Sequence, residues 1–423
     1  MATRGVGREH YAWRAVVMTG ILITAGCEGA PHVEKEPVEI GVLTSLTGDL
    51  ASLSVEFNNA FDLALEEIND GGGVLEGRPV KIFIVDDGTT PDGARQGYQK
   101  LIDRRSPVII GPMFSGGVVA IVDQIRTGRT LTISPSATSP ALTSLSDGGF
   151  FYRLVASDAV QGIVLAQAII DSGRDKACLV FRNDSWGSGL AQSTKENLKL
   201  PEGNVVMAPY DPEAQDFGHV LDPCDKLLGQ EGVGIVFITF IADGVPLIDD
   251  AERRGLASAL HKVFLCDGNK DPTLIQKLKN PKVLNGAIGT TQCGPDPSTT
   301  AGEELKNFSV RFQKKYGKPP FTYSENVYDA AYLAAMAIEV ARSATDTEAI
   351  TNAIGKLISG SPAPPGEWAA TRVSLNSGAV HFHGASGTVN LDVATGDRLA
   401  PYFVCVWTVE SGEIKVTRTV TVE

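Results

Sequence analysis

Short apolar runs alternate along this chain with stretches whose apolar residues recur every three or four positions. "VEIGVLTSL", "VKIFIVDD", "PVIIG" and "LTISPS" read as strands of the first half. Between them lie "VEFNNAFDLALEEINDGGG", "DGARQGYQKLIDR" and "GGVVAIVDQIRTG", which read as helices. In the first helix Phe57, Phe61, Ala64, Leu65 and Ile68 fall on one face, and glycines close it. Continuous apolar strands separated by helices predict a parallel sheet covered on both faces.

A second series begins near Asp158. "VQGIVLAQAIIDSG", "KACLVF", "GLAQSTKENLK", "NVVMAPY", "GIVFITF", "VPLIDDAERRG" and "HKVFLCDG" repeat the cycle, and a long Ala-rich helix, "SENVYDAAYLAAMAIEVARSA", follows. The last stretch reads as hairpins turning at "ATGD" and "ESGE". The fold class expected is therefore α/β, with two successive doubly wound lobes.

The first residues are different. Arg4, Arg8 and Arg14 precede an apolar run from Ala15 to Gly26, too short to cross a bilayer and typical of a signal segment. Ala25 and Gly26 stand directly before Cys27, so residues 1–26 are expected to be a signal peptide and Cys27 a lipidated first residue. Thr24 departs from the usual Leu of such a lipobox; ordinary secretion with a spectator cysteine is the alternative. The polar segment 27–37 reads as a tether. No other stretch is apolar enough to span a membrane, so any anchor rests on Cys27.

With 423 residues, the chain is too long for one ordinary core once leader and tether are set aside. Charged residues make up 21% and hydrophobic ones 43%, which excludes disorder. The net charge is −13, and removing the +2 of the leader makes the mature part near −15. Nucleic acid is therefore not an expected partner, because phosphate binding needs basic patches. Of the six cysteines, Cys178 and Cys405 lie in apolar strands and read as buried free thiols; Cys224, Cys266 and Cys293 could supply one disulfide. No C-x-x-C pair is present. His381 and His383 face the same side of an apparent strand without a third ligand, so no metal site is expected. No nucleophile–base motif suggests an enzyme, and nothing suggests a cofactor.

In an open α/β sheet, ligands sit beyond the carboxyl ends of the strands. Two strands end in hydroxyl-rich turns: Met113-Phe114-Ser115-Gly116-Gly117 and Ser134-Pro135-Ser136-Ala137-Thr138-Ser139-Pro140. Ser139 suits an N-cap and Pro140 a first helical position. Helix starts of this kind bind anions such as a carboxylate; plain capping is the commoner explanation for any one such turn, and two after neighbouring strands bring the readings level.

Nine segments, in order, resemble the leucine/isoleucine/valine-type periplasmic binding proteins, the substrate-binding components of branched-chain amino acid ABC transporters. They include "IGVLTSLTGDLASLS", "VDDGTTPDGA", "VIIGPMFSG", "ISPSATSPALT", "FYRLVASDAVQG", "NDSWGSGLA" and "SGTVNLDVATGDR". The resemblance covers about residues 38 to 410. It implies two Rossmann-like lobes joined by a three-stranded hinge, closing on a small amino acid or related amide, with no cofactor, and delivery to ABC permease subunits by a monomer lipid-anchored on the outer face of the membrane. On this reading lobe 1 is 38–155 plus 291–399 and lobe 2 is 156–290 plus 400–423. Ser115 matches the serine that binds the ligand carboxylate. Ser136 and Thr138, flanking Ala137, match the backbone-and-hydroxyl group that holds the same end. Asp267 matches the acid that pairs with the α-ammonium, and Trp186 an aromatic of the second lobe. Leu53 stands where an aromatic often touches the ligand, Thr89 and Phe114 replace a cysteine pair, and Phe240 or Ile241 takes the place of a tyrosine. A sensory receptor on the same fold, without a transport role, remains the alternative.

Overall fold

The computed structural model describes residues 1, 35–214 and 216–423. Apart from Met1, the leader 1–26 lies outside the described residues, and so does Cys27. One compact unit runs from Glu36 to Glu423.

Within it the first apolar runs become strands β1 (Val38–Thr44), β2 (Val80–Asp86), β3 (Val108–Ile110), β4 (Leu131–Ser134) and β5 (Phe151–Arg153), all parallel, in the order β2-β1-β3-β4-β5. Helices α1 (Ala51–Asp70), α2 (Pro91–Asp103) and α3 (Ser115–Gly128) connect them. The predicted face of α1 is the buried one: Phe57, Phe61, Ala64 and Ile68 are almost wholly enclosed. Helix α2 starts where the chemistry says it should. Thr90 accepts from the Gly93 N–H at 3.0 Å, and Pro91 and Asp92 follow in the first turn.

The second lobe carries α4 (Asp158–Asp171), β6 (Lys176–Arg182), α5 (Ser185–Leu198), β7 (Val205–Tyr210), β8 (Val233–Ile238), α6 (Ile241–Arg254), β9 (Lys262–Leu265), α7 (Pro272–Lys277) and β10 (Ile288–Gln292). Chain order then leads back to the first lobe through α8 (Glu303–Tyr316) and α9 (Ser324–Ala341). Helix α9 is buried on every side, and its central stretch from Ala330 to Ile338 holds no charged residue. Its alanines, Ala330, Ala331, Ala334 and Ala335, are fully enclosed and share a core with α1. A small sheet of β11 (Ser361–Ala363), β12 (Val380–Gly384) and β13 (Gly387–Thr388) borders this core. The hairpin of β14 (Tyr402–Glu410) and β15 (Glu413–Val422) then completes the second sheet, in the order β15-β14-β10-β9-β8-β6-β7. Its turn is at the "ESGE" tetrapeptide, with Ser411 at φ 53° and Gly412 at φ 84°, as a two-residue hairpin loop requires. At "ATGD" the turn forms without a regular hairpin: Leu391 and Arg398 make a single antiparallel bridge.

The chain thus passes between the two sheets three times, after β5, after β10 and before β14. In the parallel part of each sheet the strand order reverses direction beside the earliest strand, between β1 and β3 and between β6 and β8. These are the places where loops diverge and leave a crevice.

The cysteine assignment from sequence is corrected. Cys178 of β6 is bonded to Cys224, and Cys293 to Cys405 of β14, with Cα–Cα distances of 5.7 and 5.8 Å; among the described residues Cys266 is the free thiol, and it is buried. An apolar strand encloses a half-cystine as readily as a thiol, so burial does not tell them apart. The second bridge runs diagonally across the β10–β14 ladder: Cys405 lies opposite Thr291, and Cys293, two residues further on, donates its N–H to Phe403. His381 and His383 have ring centroids 5.2 Å apart, and His381 Nε2 lies 2.8 Å from Asn390 Oδ1. Among the described residues no group of three or more His, Cys, Asp or Glu side chains could hold a metal ion, and no helix is long and apolar enough to cross a membrane.

Candidate functional site

Beyond β3 the chain reaches Phe114 in an extended conformation, with no side-chain cap, and α3 begins at Ser115. The first N–H groups of this 14-residue helix therefore have no partner within the helix. Ser115 Oγ accepts from the Ser139 N–H at 3.0 Å. That bond ties the turn after β3 to the turn after β4. Ser136 Oγ donates to Met113 O at 2.7 Å, and Ser134 Oγ to Pro112 O at 2.6 Å, so the two turns are laced together. Ser139 caps a 3-10 turn, Pro140–Ser144, and also donates to Ser185 O in the second lobe at 2.6 Å.

On the opposite wall Asp184 caps α5, accepting from the N–H groups of Trp186 and Gly187 at 3.0 and 2.8 Å. The indole of Trp186 stacks on Phe240, with centroids 4.6 Å apart and planes 12° from parallel. Gly268 makes room for this stack: a Cβ there would meet the indole at 2.6 Å. Beneath Phe240 lies the guanidinium of Arg182, 4.4 Å from its ring centroid. Arg182 binds Asp243 at 2.5 Å and Asp184 at 3.1 Å in its own lobe, and Asp49 of the first lobe at 3.0 Å. The two walls are therefore joined by an ion pair.

Asp267 follows β9. Tyr323 donates its hydroxyl to Oδ2 at 2.9 Å, and Gln161 Nε2 donates to Oδ1 at 3.0 Å. Tyr323 sits just ahead of α9 at φ 68°, a left-handed conformation uncommon for an aromatic residue. Burial pushes the Asp267 carboxyl up, against the downward pull of these two hydrogen bonds. Behind it Asp158, fully buried at the start of α4, is pushed further up by burial and then by the charge of Asp267.

A cavity of about 60 Å³ lies between these walls. It has room for about four to six water-sized groups, at roughly 10–15 Å³ each, which is the scale of a small metabolite. Ser115, Ser136, Trp186 and Asp267 line it, together with Leu50, Leu53, Phe114, Phe240, Ile241 and Phe321. Of the residues singled out from sequence, Ala137 and Thr138 do not line it. Ala137 packs into the apolar core behind the turn, and Thr138 donates its hydroxyl to Asp158 at 2.7 Å. Sequence reading missed Tyr323, Gln161, Asp158 and the Arg182–Asp49 pair. Of these Arg182 leaves a visible trace, a charged residue closing an otherwise apolar strand.

A family model described as periplasmic binding protein matches residues 37–374. The chain is 27% identical over 375 residues to the chemotactic signal transduction system substrate-binding protein BasB of Halobacterium salinarum, covering 85% of this chain and 84% of that one. It is 26% identical over 325 residues to the Leu/Ile/Val-binding protein BraC3 of Rhizobium johnstonii, covering 75% and 83%. Among solved structures, the leucine-binding protein LivK of Thermotoga maritima superposes with a TM-score of 0.74 at 22% identity, over 90% of this chain and 98% of that one. LivJ of Streptococcus pneumoniae, in complex with isoleucine, gives 0.73 at 19% identity, over 91% and 100%. The relatives named for a role are substrate-binding proteins, not enzymes. With the family model spanning well over half its length, this chain belongs to the periplasmic binding protein family.

Proposed function

We propose that this chain is an extracytoplasmic substrate-binding protein that closes on a small amino acid, of the branched-chain kind or a related amide, and hands it to an ABC permease. The lobes, 38–155 with 291–399 and 156–290 with 400–423, hinge about the three passages between the sheets. A lipid on Cys27 tethers the monomer to the membrane. The observation that carries this reading is the make-up of one cavity. The open start of α3, with Ser115 and Ser136, offers hydroxyls and N–H groups to a carboxylate, and Asp267 offers a negative partner to an ammonium. Apolar side chains lie between. Thr138 supports the carboxylate end through its backbone and Ala137 shapes the turn, while Trp186 covers the ligand.

Isothermal calorimetry of the protein with the amino acids and their amides tests the binding reading. Saturable heat with one ligand per chain is expected; no heat with any of them would overturn it. A receptor role without transport has one supporting observation, the likeness to a chemotactic binding protein. Uptake of labelled ligand in a deletion strain separates the two: lost uptake supports delivery, and retained uptake with lost taxis supports sensing.

A further inference from the structure

Five charged side chains line the cavity, Asp49, Asp184, Asp267, Lys270 and Asp271. Four of them are engaged. Asp49 and Asp184 are bound to Arg182. Asp267 holds Tyr323 and Gln161. Asp271 caps α7, accepting from the Thr273 N–H at 2.7 Å. Among the described residues the Lys270 ammonium makes no hydrogen bond and no ion pair. Glu325, at the start of α9, is the acid whose charge reaches it, but the two do not touch. Lys270 is part-buried, and burial pushes its ammonium downward.

A zwitterion with a neutral side chain satisfies Asp267 and the start of α3 and leaves this ammonium alone in a closed, dewatered cleft. An unpaired charge under those conditions opposes closure; a paired one favours it. Asp267 and Lys270 begin and end the same 3-10 turn, Asp267–Asn269 with Lys270 as its C-cap. Residues of opposite charge therefore stand at the two ends of one short turn, and both line the cavity.

We propose that Lys270 receives a second negative group on the ligand, so that the preferred ligand is an amino acid with an acidic side chain on a short apolar stem. This rests on the amino-acid reading of the site and puts an acidic side chain in place of the branched-chain or amide one named there. Lys270 is thus a specificity-determining residue, and a branched-chain ligand is the weaker fit.

Calorimetry on the full chain with L-glutamate, L-aspartate, L-glutamine, L-leucine and L-isoleucine tests it. Expected is a preference of tenfold or more for glutamate or aspartate over the neutral three. Lys270→Met should lower the affinity for the acidic ligand at least tenfold and leave that for glutamine or leucine equal or higher; Lys270→Arg should keep the preference. Leucine or isoleucine binding tightest, with the ranking unmoved by Lys270→Met, would overturn the role of Lys270 and leave the amino-acid reading standing. Binding of none of the five by the wild type would overturn both. The wild-type ranking decides the ligand class even if a variant folds poorly.

Discussion

Tyr323 of the first lobe donates a hydrogen bond of 2.9 Å to Asp267 of the second, and so the acid proposed to meet the ligand is held by both halves of the molecule. Removing that hydroxyl leaves Gln161 as the remaining side-chain donor to the carboxylate. Tyr323→Phe should weaken ligand binding about tenfold, since a hydrogen bond to a charged group is worth roughly 1.5–3 kcal/mol. Unchanged affinity in calorimetry would show that Asp267 is positioned without the phenol.

Asp267→Asn keeps the shape and removes the charge. An ammonium partner should then lose tenfold or more in affinity, with the thermal midpoint of the unliganded protein equal or higher. The rise is expected because burial disfavours the ionised carboxyl. Equal affinity for an amino acid in both proteins would displace Asp267 from the ammonium role.

The ion pair of Arg182 with Asp49 spans the cleft at 3.0 Å, but Asp49 is partly exposed and solvent screens the pair. Asp49→Asn should therefore cost about 0.5–1 kcal/mol of closure, seen as a two- to fivefold faster ligand release by stopped-flow fluorescence of Trp186. A slower release would contradict the pair as a clasp.

Glu325 lies at the start of α9, 7% exposed, and burial lifts its carboxyl to about 7. The folded protein then holds a proton that the unfolded chain gives up near pH 4.5. Stability from this group is present below pH 4.5 and is lost as pH rises to about 7, by up to roughly 3 kcal/mol at 1.36 kcal/mol per unit. Glu325→Gln should remove that loss. In urea unfolding, its stability relative to wild type should climb between pH 5 and 7.5; a flat difference would mean that Glu325 is ionised in the fold.

Both disulfides close long loops, their partners lying 46 and 112 positions apart in sequence. Breaking either should cost about 2–5 kcal/mol. Replacing Cys178 and Cys224 together by alanine should lower the melting temperature, whereas Cys266→Ser should leave non-reducing electrophoretic mobility unaltered. A mobility change in Cys266→Ser would mean that Cys266 takes part in a bridge.

The sequence was most legible where one physical rule acts alone. Apolar runs had to be covered strands, and hydroxyl turns after β3 and β4 had to lie at a crevice, which put Ser115 and Ser136 in the cavity. Asp267 was legible for the same reason, as an acid directly after a strand. Thr138 was placed on the right turn, but no pattern tells which way a hydroxyl points, and a buried acid 20 residues later takes it. That acid, Asp158, looks like an ordinary first-turn residue behind its Ser157 cap. Tyr323 was hidden because its left-handed backbone runs against the preference of its residue type. The cysteine pairs were hidden because they depend on which distant segments meet, and Cys178 and Cys405 carry the apolar surroundings that a lone thiol would have.

The bond between Cys293 and Cys405 joins the second passage between the sheets to the strand that follows the third. Everything from 294 to 404, including α8, α9 and the small sheet, is thereby a closed covalent ring. A protease that nicked any one peptide bond in it would release nothing: the severed ends would stay attached through the sulfur bridge, and the damage would surface on a gel after reduction.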